Sequence, residues 1–151
     1  MRVLLPIMFV LLPVVAMAQV KRTNPPTLST PTGYTHVVEV TGPAKTVYIA
    51  GQIAFDKEGK VVGAGDMAAQ AEQVFKNLQS ALEAAGAKFS DVVKMNTYIV
   101  NYTPEVRPAL TAARAKAFGD GPVPASTLIG VQALALPAFM IEIEVVASLQ
   151  G

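Results

Sequence analysis

Apolar and β-branched residues cluster in five segments after residue 34, and each segment predicts a β-strand. The first two, residues 36–40 and 46–50, are separated by a short stretch that contains Gly42 and Pro43, so a β-hairpin is expected there. The second run continues to Phe55, and a short strand at residues 61–62 is left open. The other three segments are residues 92–100, 126–131 and 140–148.

Apolar residues at helical spacing predict two helices between these strands. The first begins after Asp66, a good N-cap residue, and ends at Gly86, and its polar face, which includes Gln70, is expected to lie in solvent. The second begins near Pro108 and runs to Phe118, because proline fits the first turn of a helix but costs about 3 kcal/mol inside it.

The resulting order, β-β-α-β-α-β-β, indicates an α+β fold in which a mixed sheet carries two helices on one face. The opposite face of the sheet has more Val, Ile, Met and Tyr than a solvated face needs. We therefore expect that face to pack against other subunits.

The first eighteen residues have the three parts of a secretory signal peptide. Arg2 is followed by an apolar run at residues 3–15 and by the Ala-x-Ala ending at Ala18. The run is short for a membrane span, which needs about 20 residues, although a buried helix and an uncleaved anchor stay open. We expect cleavage after Ala18 and an exported protein, periplasmic or secreted, that is not bound to the membrane. Residues 19–33 then form a flexible lead-in, and residues 34–151 form a single domain.

Charge and composition exclude several classes of function. Without Arg2 the chain has 11 basic and 11 acidic residues and no basic patch, so nucleic-acid binding has no electrostatic support. The absence of cysteine excludes a thiolate nucleophile and a zinc–thiolate site. His36, the single histidine, is expected to be a half-exposed strand residue, so no metal site and no cofactor are predicted.

Four segments occur in an order and spacing that resemble the Rid (YjgF-type, reactive intermediate deaminase) family. They are residues 48–53, 68–86, 90–94 and the stretch from Pro124 to Ala147. The resemblance implies a chorismate-mutase-like subunit that forms a homotrimer with clefts between neighbouring subunits. It also implies hydrolysis of enamines and imines, such as 2-aminoacrylate, to 2-keto acids and ammonia without a cofactor.

The chain departs from the family at one position of this cleft. Active members carry an arginine in a Pro-x-Arg-Ser/Thr motif that holds the substrate carboxylate, whereas Ser126 stands at the arginine position here. A planar guanidinium pairs with a carboxylate through two hydrogen bonds, and losing such a partner costs about 3–5 kcal/mol. Arg107 and Arg114 are either substitutes for this cation or solvated residues of the second helix.

Other positions of the family's cleft are partly retained. Glu142 matches a glutamate that positions the hydrolytic water, Tyr34 a tyrosine that closes the cleft, and Gly51 a glycine whose backbone approaches the ligand. Thr111 lies near the place of an asparagine. Glu144, on the same face of the strand, is interpreted as an exposed charge. The plainer readings of the other positions are an exposed strand charge for Glu142, a surface aromatic for Tyr34 and a bulge glycine for Gly51.

Two functions remain in competition. The first is an enamine or imine deaminase of the 2-iminobutanoate/2-iminopropanoate type, with a substrate scope altered by the loss of the arginine at Ser126. A substrate without a carboxylate would not need that arginine. The alternative is a non-catalytic homotrimer that binds a small molecule between its subunits or protects other proteins under stress.

Overall fold

The computed structural model describes residues 17–150. Residues 1–16 of the predicted signal peptide lie outside this range, so its cleavage stays a prediction. Among the described residues, no helix has both the length and the apolar character needed to cross a bilayer.

Six strands and two α-helices make up the described part of the chain, which confirms the expected α+β class. The strands are β1 Gln19–Thr23, β2 Val37–Thr41, β3 Ala44–Gln52, β4 Val92–Val100, β5 Ala125–Val131 and β6 Ile141–Gln150. The helices are α1 Met67–Ala84 and α2 Arg107–Phe118. At residues 61–62 the chain forms only an isolated bridge, between Phe55 and Val61.

Four strands form the main sheet in the order β3-β6-β4-β5. β4 and β5 run parallel and the other pairs are antiparallel, so the sheet is mixed as expected. Both helices cover one face, where the alternate residues of β6 are buried with the apolar stripe of α1. The core of this layer includes Val74, Leu78, Leu82, Met95, Ile99, Ile141, Ile143 and Val145.

The helix boundaries follow the expected local signals. Asp66 Oδ1 accepts hydrogen bonds from the backbone N–H groups of Ala68 and Ala69, at 2.9 and 3.1 Å, and so caps α1. Gly86 follows the helix at a φ of 76°, a left-handed conformation that glycine adopts without strain. In α2, Pro108 occupies the first turn, where its missing N–H would have no partner within the helix.

The predicted hairpin is wrong, although both of its strands exist. β2 pairs with β1, whereas β3 pairs with β6. Gly42, with a φ of 80°, and Pro43 turn the chain out of β2 in a way that does not bring β3 back beside it. The expected flexible lead-in also differs from the structure, because Gln19–Thr23 supplies the partner that the backbone of β2 requires.

The sheet face turned away from the helices is mixed in character. Its most exposed apolar members lie on the edge strands and are Tyr48, which is 80% exposed, and Ile129, which is 43% exposed. Its polar members lie mainly on the two central strands and are Lys94, Asn96, Tyr98, Thr127, Glu142 and Glu144. The expected apolar character therefore holds mainly at the edges of this face, and the centre is largely polar, with Val146 among its polar groups.

Candidate active site

Gly51 and Glu142 lie against each other across β3 and β6. The pairing of these strands shifts between Ile49 and Gln52, opposite Val145 and Ile143, and Gly51 lies within this bulge. A Cβ atom on Gly51 would collide with the side-chain carboxylate of Glu142. Glycine is therefore required here because the carboxylate crosses the strand at this point.

Polar side chains of α1 fix the chain just beyond Gly51. The Asn77 side-chain amide donates to the carbonyl oxygens of Ile53 and Phe55, both at 2.9 Å. The Gln73 amide donates to the same Phe55 oxygen at 3.1 Å and to Asn77 Oδ1 at 2.9 Å. These bonds attach the segment after the bulge to a rigid helix.

Gln70 fixes the chain that leads to Glu142. Its Nε2 donates to the Ala138 carbonyl at 2.7 Å, and its Oε1 accepts from the Met140 N–H at 2.9 Å. The side chain is fully buried, so its expected place on a solvated helix face is wrong. An amide can be buried because these loop groups satisfy its hydrogen bonds, and nothing in the helical pattern indicates that partner.

A second carboxylate on the same sheet face, that of Glu144, is held by its neighbours. Its Oε1 accepts hydrogen bonds from Asn96 Nδ2 at 2.8 Å and from the Tyr98 hydroxyl at 2.9 Å. The pKa of Glu144 is held below its usual value mainly by the hydrogen bond from Asn96, then by the bond from Tyr98 and by the charge of Lys94. The same carboxylate raises the pKa of Tyr98.

This network was missed in the sequence, where Glu144 was assigned as an exposed charge. The signal was the alternation of Asn96 and Tyr98 on β4, which places both on the face that Glu144 occupies on β6. A concavity of about 410 Å³ adjoins the network and is lined in part by Tyr48, Ala50, Asn96 and Glu144. Because two donors already hold the Glu144 carboxylate, Glu142 is the better placed of the two to act on water.

Ser126 lies on the opposite face of the sheet, under α2. It pairs with Met95 on β4, so its side chain points to the helices. Arg114 of α2 reaches it, and Arg114 Nη1 donates to Ser126 Oγ at 3.4 Å. The other two candidates on this helix, Arg107 and Thr111, are exposed.

Tyr34 belongs to a segment that runs beside the start of β5. The Thr35 N–H donates to the Pro124 carbonyl at 3.0 Å, and its hydroxyl donates to the Val123 carbonyl at 2.7 Å. The backbone of Tyr34 is thereby brought close to the strand that carries Ser126. Its ring meets that of His36 edge to face, with centroids 5.2 Å apart.

His36 has a structural contact of its own, since its Nε2 lies 2.8 Å from the Ser29 carbonyl oxygen. Across residues 17–150, His, Asp and Glu side chains form no group of three that could hold a metal ion.

The expected site residues therefore form two groups within one subunit. Gly51 and Glu142 lie together on the face away from the helices. Ser126 lies under α2 and is contacted by Arg114 of that helix, with Tyr34 near the same strand. Because Ser126 and Glu142 point to opposite faces of one sheet, a single subunit does not bring them to one ligand.

Comparison with known proteins settles the family. Residues 23–149 match the family model described as Endoribonuclease L-PSP. The chain is also 41% identical to a Rid family protein of unknown function from Yersinia pestis, whose crystal structure superposes with a TM-score of 0.81 over 86% of this chain and 98% of that one. This chain belongs to the Rid family.

Further Rid relatives support the assignment. A 2-iminobutanoate/2-iminopropanoate deaminase of the mite Dermatophagoides farinae is 37% identical over 101 residues, which are 67% of this chain and 74% of the mite protein. RidA from an Antarctic Psychrobacter species is 32% identical, with a TM-score of 0.60 over 79% of this chain and 90% of that one. The YjgF-type Rid fold expected from the sequence is thus confirmed.

Proposed function

We propose that this protein hydrolyses small enamines or imines to a carbonyl compound and ammonia, with a substrate scope that differs from that of Rid proteins carrying the arginine. The observation that carries the proposal is the contact of the Glu142 carboxylate with the backbone at Gly51. The deaminase named among its relatives supports the reaction class.

The reaction requires a group beside the imine carbon that acts first as a general base and then as a general acid. Water adds to the carbon of the protonated imine as Glu142 accepts a proton from it, which gives a neutral carbinolamine. Glu142 then returns this proton to the nitrogen and accepts the proton of the carbinolamine hydroxyl as the carbon–nitrogen bond breaks, so the carbonyl forms, ammonia leaves and the last proton passes to solvent. A carboxylate held at a rigid strand suits both steps, because it needs no rearrangement between them.

The proposal includes a homotrimer whose ligand clefts lie between subunits. Glu142 and Ser126 point to opposite faces of the sheet, so a cleft with both must draw them from neighbouring copies. The exposed Tyr48 and Ile129 at the two edges of the sheet favour such packing. Sedimentation equilibrium of the purified protein at several concentrations gives the mass of the assembly and tests this part directly.

We further propose that the protein is exported and works in the periplasm or outside the cell. The leader at residues 1–18 is the support for this proposal. The protein is recovered from the periplasm and from the culture medium of its own cells, and its mass is measured. The expected mass is that of a chain that begins at Gln19. Recovery of the full chain from the cell interior would contradict it.

The activity is tested with an imine generated in place. A coupled amino-acid lyase produces 2-aminoacrylate, and its decay is followed with and without the protein. We expect the wild type to accelerate decay and Glu142→Gln to lose at least a hundredfold of that rate. Glu39→Gln, an exposed change on β2, is the matched control and should retain the rate. If both 2-aminoacrylate and an imine without a carboxylate decay no faster with the protein than in buffer alone, the deaminase activity is overturned and a non-catalytic binding protein is favoured.

A further inference from the structure

Arg114 is a half-buried cation whose charge has no partner among residues 17–150. The ion pairs found there join Lys57 to Glu58 and Lys116 to Glu72. Its Nε and Nη2 are enclosed and make no hydrogen bond. Burial lowers the pKa of its guanidinium, which nevertheless stays charged at neutral pH. An enclosed guanidinium without an anion is unfavourable, and proteins bury such groups mostly in pairs.

Another half-buried arginine, Arg22, also has an enclosed Nε without a hydrogen bond, but it has an acidic neighbour. Its Nη2 donates to the Ser90 carbonyl at 3.4 Å, and the charge of Asp91 acts on it favourably. No acidic neighbour of this kind acts on Arg114 within residues 17–150, where its hydrogen bond goes to the Ser126 hydroxyl and its guanidinium lies over the face of Phe118, 5.4 Å from the ring centroid. Both contacts orient the guanidinium, and neither neutralises it.

The position of this cation is informative. The Arg114 guanidinium reaches Ser126 from α2, and the resemblance to the Rid family implies that position 126 lies in the ligand cleft. Only Nη1 is engaged, so two of its nitrogens remain as donors. Nε and Nη2 lie side by side on one edge of the guanidinium, which is the edge that binds both oxygens of a carboxylate at once.

We propose that Arg114 and Ser126 together form an anion site for the carboxylate of a small 2-imino or 2-oxo acid. The inference rests on the proposed function, and it names carboxylate-bearing substrates as the class that the protein takes. Because Nε and Nη2 are enclosed, the guanidinium must turn on its flexible side chain, against Phe118, to present its edge to the ligand.

The proposal is tested by binding, which does not depend on turnover. The purified protein is titrated calorimetrically with 2-oxobutanoate and with 2-butanone, a ketone of the same carbon number without the carboxylate. Arg114→Gln is expected to weaken the binding of 2-oxobutanoate by at least a hundredfold and to leave the affinity for 2-butanone unchanged. Arg107→Gln, an exposed change on the same helix, is the matched control and should leave both unchanged.

Arg114→Lys keeps the charge without the planar fork and protects the test against a misfolded glutamine variant. It should retain the fold and lose about tenfold in 2-oxobutanoate affinity. Unchanged 2-oxobutanoate affinity in both Arg114 variants would overturn the proposal. The proposal would also be overturned if Arg114→Gln lost the trimer and bound 2-oxobutanoate and 2-butanone with equal affinity. Arg114 would then pair with a carboxylate of a second copy of the chain.

The same experiment separates this proposal from the deaminase. Binding of 2-oxobutanoate through Arg114 without imine hydrolysis would leave the anion site in place and remove the catalytic function. Imine hydrolysis at an undiminished rate in Arg114→Gln would remove the anion site and leave the catalytic function in place.

Discussion

The carboxylate of Glu142 occupies the space that any side chain at position 51 would need. The two residues are far apart in the sequence and meet because β3 bulges where it passes β6. The geometry of the proposed catalytic carboxylate is thus determined by a residue that has no side chain.

Gly51→Ala should therefore impair the site without changing its chemistry. The added methyl group forces the Glu142 carboxylate away, and we expect imine hydrolysis to fall by about a hundredfold, since small displacements of catalytic groups have effects of that size. Overpacking should also cost about 1–3 kcal/mol of unfolding free energy. Thr46→Ser, at an exposed position of the same strand, is the control for both measurements. An undiminished rate in Gly51→Ala would show that Glu142 works from another position or does not work at all.

Gln70→Ala should be among the most destabilising single changes in α1. It removes the amide that joins the helix to Ala138 and Met140 and leaves their backbone groups buried without partners. We expect a loss of about 2–4 kcal/mol, measured by urea unfolding, from the cavity and the unsatisfied groups together. Gln79→Ala, which loses only an exposed bond to Glu83 on the same helix, should change stability by less than about 0.5 kcal/mol. Equal effects of the two changes would mean that the loop re-forms its hydrogen bonds elsewhere.

Gln70 also marks how far the sequence could predict this fold. The strands, helices and caps depend on local periodicity, so β4, α1 and α2 were predicted with boundaries close to those observed. The partner of β2 and the burial of Gln70 depend on contacts between distant segments, which no local pattern encodes. The candidate site divides in the same way. The resemblance to the Rid family indicated Glu142 and Gly51, whereas the approach of Arg114 to Ser126 follows from how α2 packs on the sheet.

The stability of the protein should depend on Glu144 in the acid range. Hydrogen bonds from Asn96 and Tyr98 lower its pKa in the folded state, so its contribution is present above the unfolded pKa, near 4.3, and is lost as the pH falls through the lower folded value. Glu144→Gln should therefore be less stable than the wild type at pH 7, and the difference in urea midpoint should shrink below about pH 4. Glu105, whose pKa is also lowered, is present in both proteins and cancels in the difference. A difference that stays constant from pH 7 to pH 3 would contradict the assignment.

The relation of Arg114 to Ser126 makes a prediction about restoring the family's arginine. Ser126→Arg alone would place a second guanidinium beside the first, and two like charges 4 Å apart repel by about 4 kcal/mol at an effective dielectric constant of 20, before screening by solvent. We therefore expect this single change to lower both the melting temperature and the affinity for 2-oxobutanoate. Combined with Arg114→Gln, the same change should raise that affinity at least tenfold above Arg114→Gln alone, because one cation then serves the site from the strand. Such non-additive effects of the two substitutions on affinity are expected when both residues act on the same bound carboxylate. If Ser126→Arg by itself bound 2-oxobutanoate more tightly than the wild type, Arg114 would not be the cation of this site.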